Sequence, residues 1–63
     1  MGERLMKYYN LIGEKAGLTG KMKLARMTKI PSTEAAMAPD SAKNIELFRK
    51  AVKEILGEDP PRF

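Results

Sequence analysis

With no histidine, cysteine or tryptophan among its 63 residues, this chain can build chemistry only from hydroxyls, lysines, tyrosines and carboxylates. Ser32 and Ser41 are the serine nucleophile candidates, but a hydroxyl needs a base beside it, and neither spacing nor residue type supplies one. Both lie close to a proline and ahead of a helical stretch, where a hydroxyl caps orphan backbone amides. Glu34 and Asp40 are separated by Pro39 and form no loop of alternating oxygen ligands around a glycine. Zinc and other borderline metals lose their usual nitrogen and sulfur ligands. No catalytic, metal or cofactor site is expected, and the protein reads as not an enzyme.

The run Gly13-Glu14-Lys15-Ala16-Gly17-Leu18-Thr19-Gly20-Lys21-Met22 invites a phosphate-loop reading, which its register breaks. Lys15 stands where the pattern needs glycine, Met22 where it needs a magnesium-binding hydroxyl, and no strand precedes the run. Its glycines read as a helix stop and a turn.

Charge is the remaining chemical signal. The formal net charge is +4, and it is not spread evenly. Residues 17–31 carry Lys21, Lys23, Arg26 and Lys29 with no acid, whereas residues 45–63 balance Arg49, Lys50, Lys53 and Arg62 against Glu46, Glu54, Glu58 and Asp59. Lys21, Lys23, Arg26 and Lys29 are therefore the candidate contacts for nucleic acid or for an acidic partner. The competing reading is the solvated rim of a short amphipathic helix.

The stretch from Leu24 to Ala35 resembles part of a helix-turn-helix. Leu24-Ala25 lie in a first helix, Ile30 plugs the turn six positions on, Ser32 caps, and the small Ala35 lets two helices cross closely. The resemblance covers about a fifth of the chain and departs from the pattern at three points. Lys29 replaces the usual turn glycine, Thr28 replaces an apolar residue, and Pro39 cuts the recognition helix to residues 33–38. That helix has no Lys, Arg, Asn or Gln with which to read bases. What the resemblance implies is a DNA-binding regulator that grips phosphates through residues 21–29.

The elements that must position these residues are helices. Leu5, Tyr8, Tyr9, Ile12 and Ala16 recur at three- and four-residue spacings, and Gly17 is expected to end that helix in the left-handed conformation. Leu18 to Ile30 reads as a second helix capped by Thr19 and stopped by Pro31. Ser32 is expected to cap a brief turn, residues 33–37. Asp40 or Ser41 is expected to cap the last helix, whose stripe is Ile45, Phe48, Val52, Ile55 and Leu56, with Gly57 as its stop. The fold class expected is all-α, a small three-helix or helical-hairpin bundle with a short helical turn in the middle. A single helical domain is expected over residues 1–57, and an extended or disordered tail over residues 58–63.

So short a chain buries only about 60% of its unfolded surface. Lacking disulfides and metal, it is expected to complete its core by self-association. With 43% hydrophobic and 32% charged residues the chain is in the globular range. Its apolar runs are far short of the ~20 residues that span a bilayer, so it reads as soluble and cytoplasmic, with no membrane partner. A core of two heptads leaves little room for a small-molecule substrate.

One tyrosine of the Tyr8-Tyr9 pair is expected in the core and the other at an edge or dimer seam with its hydroxyl in water. Met6, Met22, Met27 and Met37 are expected as flexible fillers. The function expected is a non-enzymatic interaction or regulatory module working as a homodimer or on a larger protein partner. Its predicted apolar surface is Leu5, Tyr8, Tyr9, Ile12, Phe48, Val52 and Ile55.

Overall fold

The helix-forming residues that open the chain cannot form one straight rod. A computed structural model describes residues 2–63, with α1 at Glu3–Thr28, α2 at Ser32–Ala35 and α3 at Ala42–Leu56, and no strand among the described residues. A straight helix of 26 residues would reach about 39 Å, yet the molecule's longest dimension is 25 Å. The chain turns back at Gly17, whose φ of 67° and ψ of −160° lie in a region essentially reserved for glycine. The stop expected at Gly17 is thus a corner rather than a left-handed cap, because its ψ is far from the value of about +47° such a cap takes. Helix resumes directly after it, and Thr19, the expected cap of the second segment, stands exposed beyond the corner.

The two arms of α1, residues 3–16 and 18–28, pack on each other. A Cβ at Gly20 would lie 2.4 Å from the Ala16 Cβ and 3.0 Å from Ile12 Cγ2, so the missing side chain is what lets the backbones approach. Near the open end of this hairpin the Tyr9 hydroxyl donates to the Ile30 carbonyl. The second arm ends at Lys29, whose φ of 61° is unusual for a residue with a side chain. Its amide still donates to the Ala25 carbonyl at 2.8 Å. Thr28 steadies this corner: its hydroxyl donates to the Leu24 carbonyl at 2.7 Å and accepts from the Ile30 amide at 3.2 Å. A polar residue at this helix-turn-helix position is therefore satisfied locally, and Thr28 is buried.

Two expected caps are reassigned. Pro31, not Ser32, occupies the cap position of α2 and makes no side-chain bond there; the short helix spans Ser32–Ala35 rather than residues 33–37. Ser41 caps α3 by accepting from the Asn44 amide at 3.2 Å, which frees Asp40 for a distant task. The Asp40 carboxylate accepts from the Arg4 and Leu5 amides at 3.2 and 3.4 Å, capping α1, whose own cap residue Gly2 has no side chain to offer. Gly57 closes α3 in the left-handed conformation, its amide donating to the Lys53 carbonyl at 2.8 Å.

The core is Leu5, Tyr8, Tyr9, Ile12, Leu24, Ala35, Phe48, Ala51 and Val52, drawn from both arms of α1, from α2 and from α3. The all-α bundle expected from the periodicity is the fold that forms. Tyr9 and Phe48 meet edge to face with centroids 5.6 Å apart, the arrangement that aromatic quadrupoles prefer. Ala35 is fully buried, and the start of α1 fits against α2 closely enough that a Cβ on Gly2 would fall 1.6 Å from the Ala35 carbonyl oxygen.

Candidate interaction surface

The seven residues read from sequence as a docking stripe are turned inward. Leu5, Tyr8, Tyr9, Ile12, Phe48 and Val52 lie in the core, and Ile55 packs partly buried against it. In this fold the six core residues have almost no apolar surface to offer a partner, because each amphipathic stripe finds its cover within the same chain. The tyrosines follow the same correction. Both are buried, and instead of one hydroxyl reaching water, Tyr8 donates to the Pro61 carbonyl at 3.2 Å and Tyr9 to that of Ile30. Burial raises the Tyr9 phenol above its ordinary value of 10.0, an effect moderated by a hydrogen bond with Thr28.

The exposed apolar residues are others. Leu18 is 74% exposed, Met22 55% and Met27 40%, on the second arm of α1, and Met37, after α2, is 82% exposed. The buried row of that arm is Gly20, Leu24 and Thr28, spaced four apart. Leu18 and Met22 form a different row with the same spacing, set on the side away from the core, with Arg26 continuing it. Met22, Met27 and Met37 are therefore surface residues rather than fillers, whereas Met6 is partly buried against the core. Met27 lies apart from the row of Leu18 and Met22, beside a shallow open groove with Leu47, Lys50, Ala51 and Glu54 on α3.

The four cations predicted as contacts surround this patch. Lys23, Arg26 and Lys29 are exposed, while Lys21 is half-buried with its aliphatic stem over Gly13. None is neutralised: the ion pair found among the described residues is Lys53–Asp59 at 3.2 Å, on α3 and the tail. The second arm thus presents apolar knobs among positive charges with no acid of its own.

The neighbouring helix-turn-helix feature is geometrically incomplete. The turn is present, and Lys29 takes the positive φ for which glycine is usual there. The helix after it has four residues, one turn, and points Ala35 into the core. A helix of that length has almost no face to lay in a groove. No group of acidic residues among those described is arranged to hold a metal, and no buried side-chain nitrogen or oxygen among them lacks a partner. Among the described residues no helix is long and apolar enough to cross a membrane. No protein-family model, curated protein or solved structure matches the chain.

Proposed function

We propose that the chain is a non-enzymatic interaction module that docks, through the outward face of the second arm of α1, onto an acidic surface carrying apolar sockets. The observation that carries this reading is the placement of Leu18 and Met22, both mostly exposed, in one row with Arg26 and flanked by Lys21 and Lys23. Apolar side chains left this open in so small a protein stand at a binding face more readily than in isolation. The surrounding cations select a partner of opposite charge and exclude like-charged ones.

Charge also argues against a symmetric homodimer through this same face. A two-fold interface sets a patch against its own copy, which would bring two sets of Lys23, Arg26 and Lys29 together with no acid from residues 17–31 to separate them.

The test uses uniformly ¹⁵N-labelled chain and a designed amphipathic helical peptide with leucines on one face and glutamates on its flanks. The expected result is saturable shifts of the amides of residues 18–29, with part of the affinity retained at high salt because apolar burial is not screened. Leu18→Ser should weaken binding without unfolding the protein, since its side chain is exposed. Duplex DNA of the same charge serves as the competing probe. Tighter binding of the duplex, with the steep salt dependence of phosphate neutralisation, would overturn the reading, as would a peptide that leaves residues 18–29 unshifted.

A further inference from the structure

Residues 58–63 form no helix, yet they are held in place by side chains of α1 and α3. The Arg49 guanidinium donates through one nitrogen to the Pro60 carbonyl at 3.2 Å, the Pro61 carbonyl at 3.1 Å and the Tyr8 hydroxyl at 3.3 Å. The Tyr8 hydroxyl in turn donates to the Pro61 carbonyl. Pro60 is buried, and the Phe63 ring meets Tyr8 edge to face at 4.9 Å, with the Lys7 ammonium 5.9 Å from its centroid. Asp59 is tied to Lys53.

This is the chemistry by which an extended proline segment is recognised by a partner. Two consecutive prolines have fixed φ and no N–H, so the segment loses little freedom on docking and offers carbonyls for donors to find. A guanidinium donor, a tyrosine hydroxyl and an aromatic ledge are the complementary set. Every contact is between a helix side chain and the segment's carbonyls, its carboxylate or its rings, so nothing in the recognition depends on the two belonging to one chain. The connection to α3 is short: Gly57, at φ 77°, and Glu58, both exposed.

We infer that the groove between α1 and α3 marked by Tyr8 and Arg49 is a receptor for an Asp-Pro-Pro-x-Phe segment, filled by residues 59–63 of the same chain and, on rotation about Gly57 and Glu58, by the same residues of a second copy. Reciprocal filling gives a tail-exchanged dimer whose contacts are those of the monomer. Such exchange is a low-cost route to dimers. This surface is separate from the second arm of α1, so the inference stands or falls independently of the docking reading above.

Because the sequence has no cysteine, Arg62→Cys gives a single attachment point for a nitroxide at an exposed position. Unlabelled chain carrying the nitroxide is mixed with ¹⁵N-labelled unmodified chain on either side of the roughly millimolar effective concentration of a short tether. Exchange predicts intermolecular relaxation of the amides around Tyr8, Leu11 and Arg49 in the labelled chain, growing with concentration. Phe63→Ala in the labelled chain loosens its own tail and should raise the effect about two- to tenfold, the factor an edge-to-face aromatic pair contributes. Arg49→Ala in the labelled chain, which removes the donor from its own tail and from the incoming one alike, should not raise it. Relaxation that is absent, that falls on residues 18–29 instead, or that ignores Phe63→Ala would overturn the inference.

Discussion

The corner at Gly17 makes a prediction in which even the sign is at stake. A Cβ built at this position meets nothing within 4 Å, so Gly17→Ala introduces no clash, and its effect comes from the backbone alone. At φ 67° and ψ −160° an L-residue is strained by about 1–3 kcal/mol. A chain of this length has about 3–9 kcal/mol of stability in all, so the substitution removes a substantial share and lowers the melting temperature by about 4–8 °C for each kcal/mol lost. If α1 were instead one continuous helix, alanine would stabilise it by about 1 kcal/mol, the helix-propensity difference from glycine. D-alanine sharpens the contrast, since a D-residue finds this conformation the mirror of polyproline geometry. The D-variant is expected to be neutral or stabilised by about 0.4–1 kcal/mol through its less flexible unfolded chain. Both variants are within reach of chemical synthesis, and urea unfolding followed by circular dichroism gives the stabilities. An L-variant as stable as the parent, or L- and D-variants of equal stability, would refute the corner.

Two further perturbations probe polar groups whose roles the fold assigns. Asp40→Ala should cost about 0.5–2 kcal/mol, as loss of a cap does, and should speed amide exchange at Arg4 and Leu5. Ser41→Ala should cost a similar amount but act on the first turn of α3 at Asn44; exchange changes confined to α3 for both variants would contradict the long-range cap. Tyr9 couples stability to alkaline pH. Its folded phenol is held above the ordinary value of 10.0, first by burial, so the native state holds this proton more tightly than the unfolded state does. The stabilising contribution is fully present below about pH 10 and falls as pH rises from there through the folded value. Tyr9→Phe should cost about 1 kcal/mol at neutral pH and flatten the alkaline part of the profile. Urea midpoints from about pH 8 to about pH 11, with the parent compared against the variant, isolate this group from the lysines; identical slopes would remove Tyr9 as the cause.

The parts of the fold that could be read from the sequence are those set by local chemistry. Ser41 and Gly57 delimit α3 because a hydroxyl satisfies amides at a helix start and a glycine takes positive φ at its end. The glycine at 17 announces a break, and its residue type is right for the conformation found, although nothing local distinguishes a helix end from a corner at which helix resumes. Asp40 shows the limit of local reasoning most directly. A carboxylate ahead of a helix is a cap for that helix by proximity, and only the packing of α1 beside it reveals that the amides of Arg4 and Leu5 are its partners.

Leu5, Tyr8, Tyr9, Ile12, Phe48 and Val52, which the sequence marks as a docking stripe, lie in the core for a physical reason. Hydrophobic periodicity identifies a face that must be covered, but it carries no information on whether the cover comes from the same chain. Leu5, Tyr8, Ile12 and Phe48 have the strongest periodicity and are for that reason the first to be consumed by folding. A residue available to a partner is one that is apolar and out of phase with its own helix's buried row. Leu18 and Met22 satisfy this against Gly20, Leu24 and Thr28. The weak amphipathicity of the second arm, which makes it hard to read as a helix, is therefore what two faces of one helix produce: an inward row that closes the core and an outward row, set among Lys23, Arg26 and Lys29, left open to solvent.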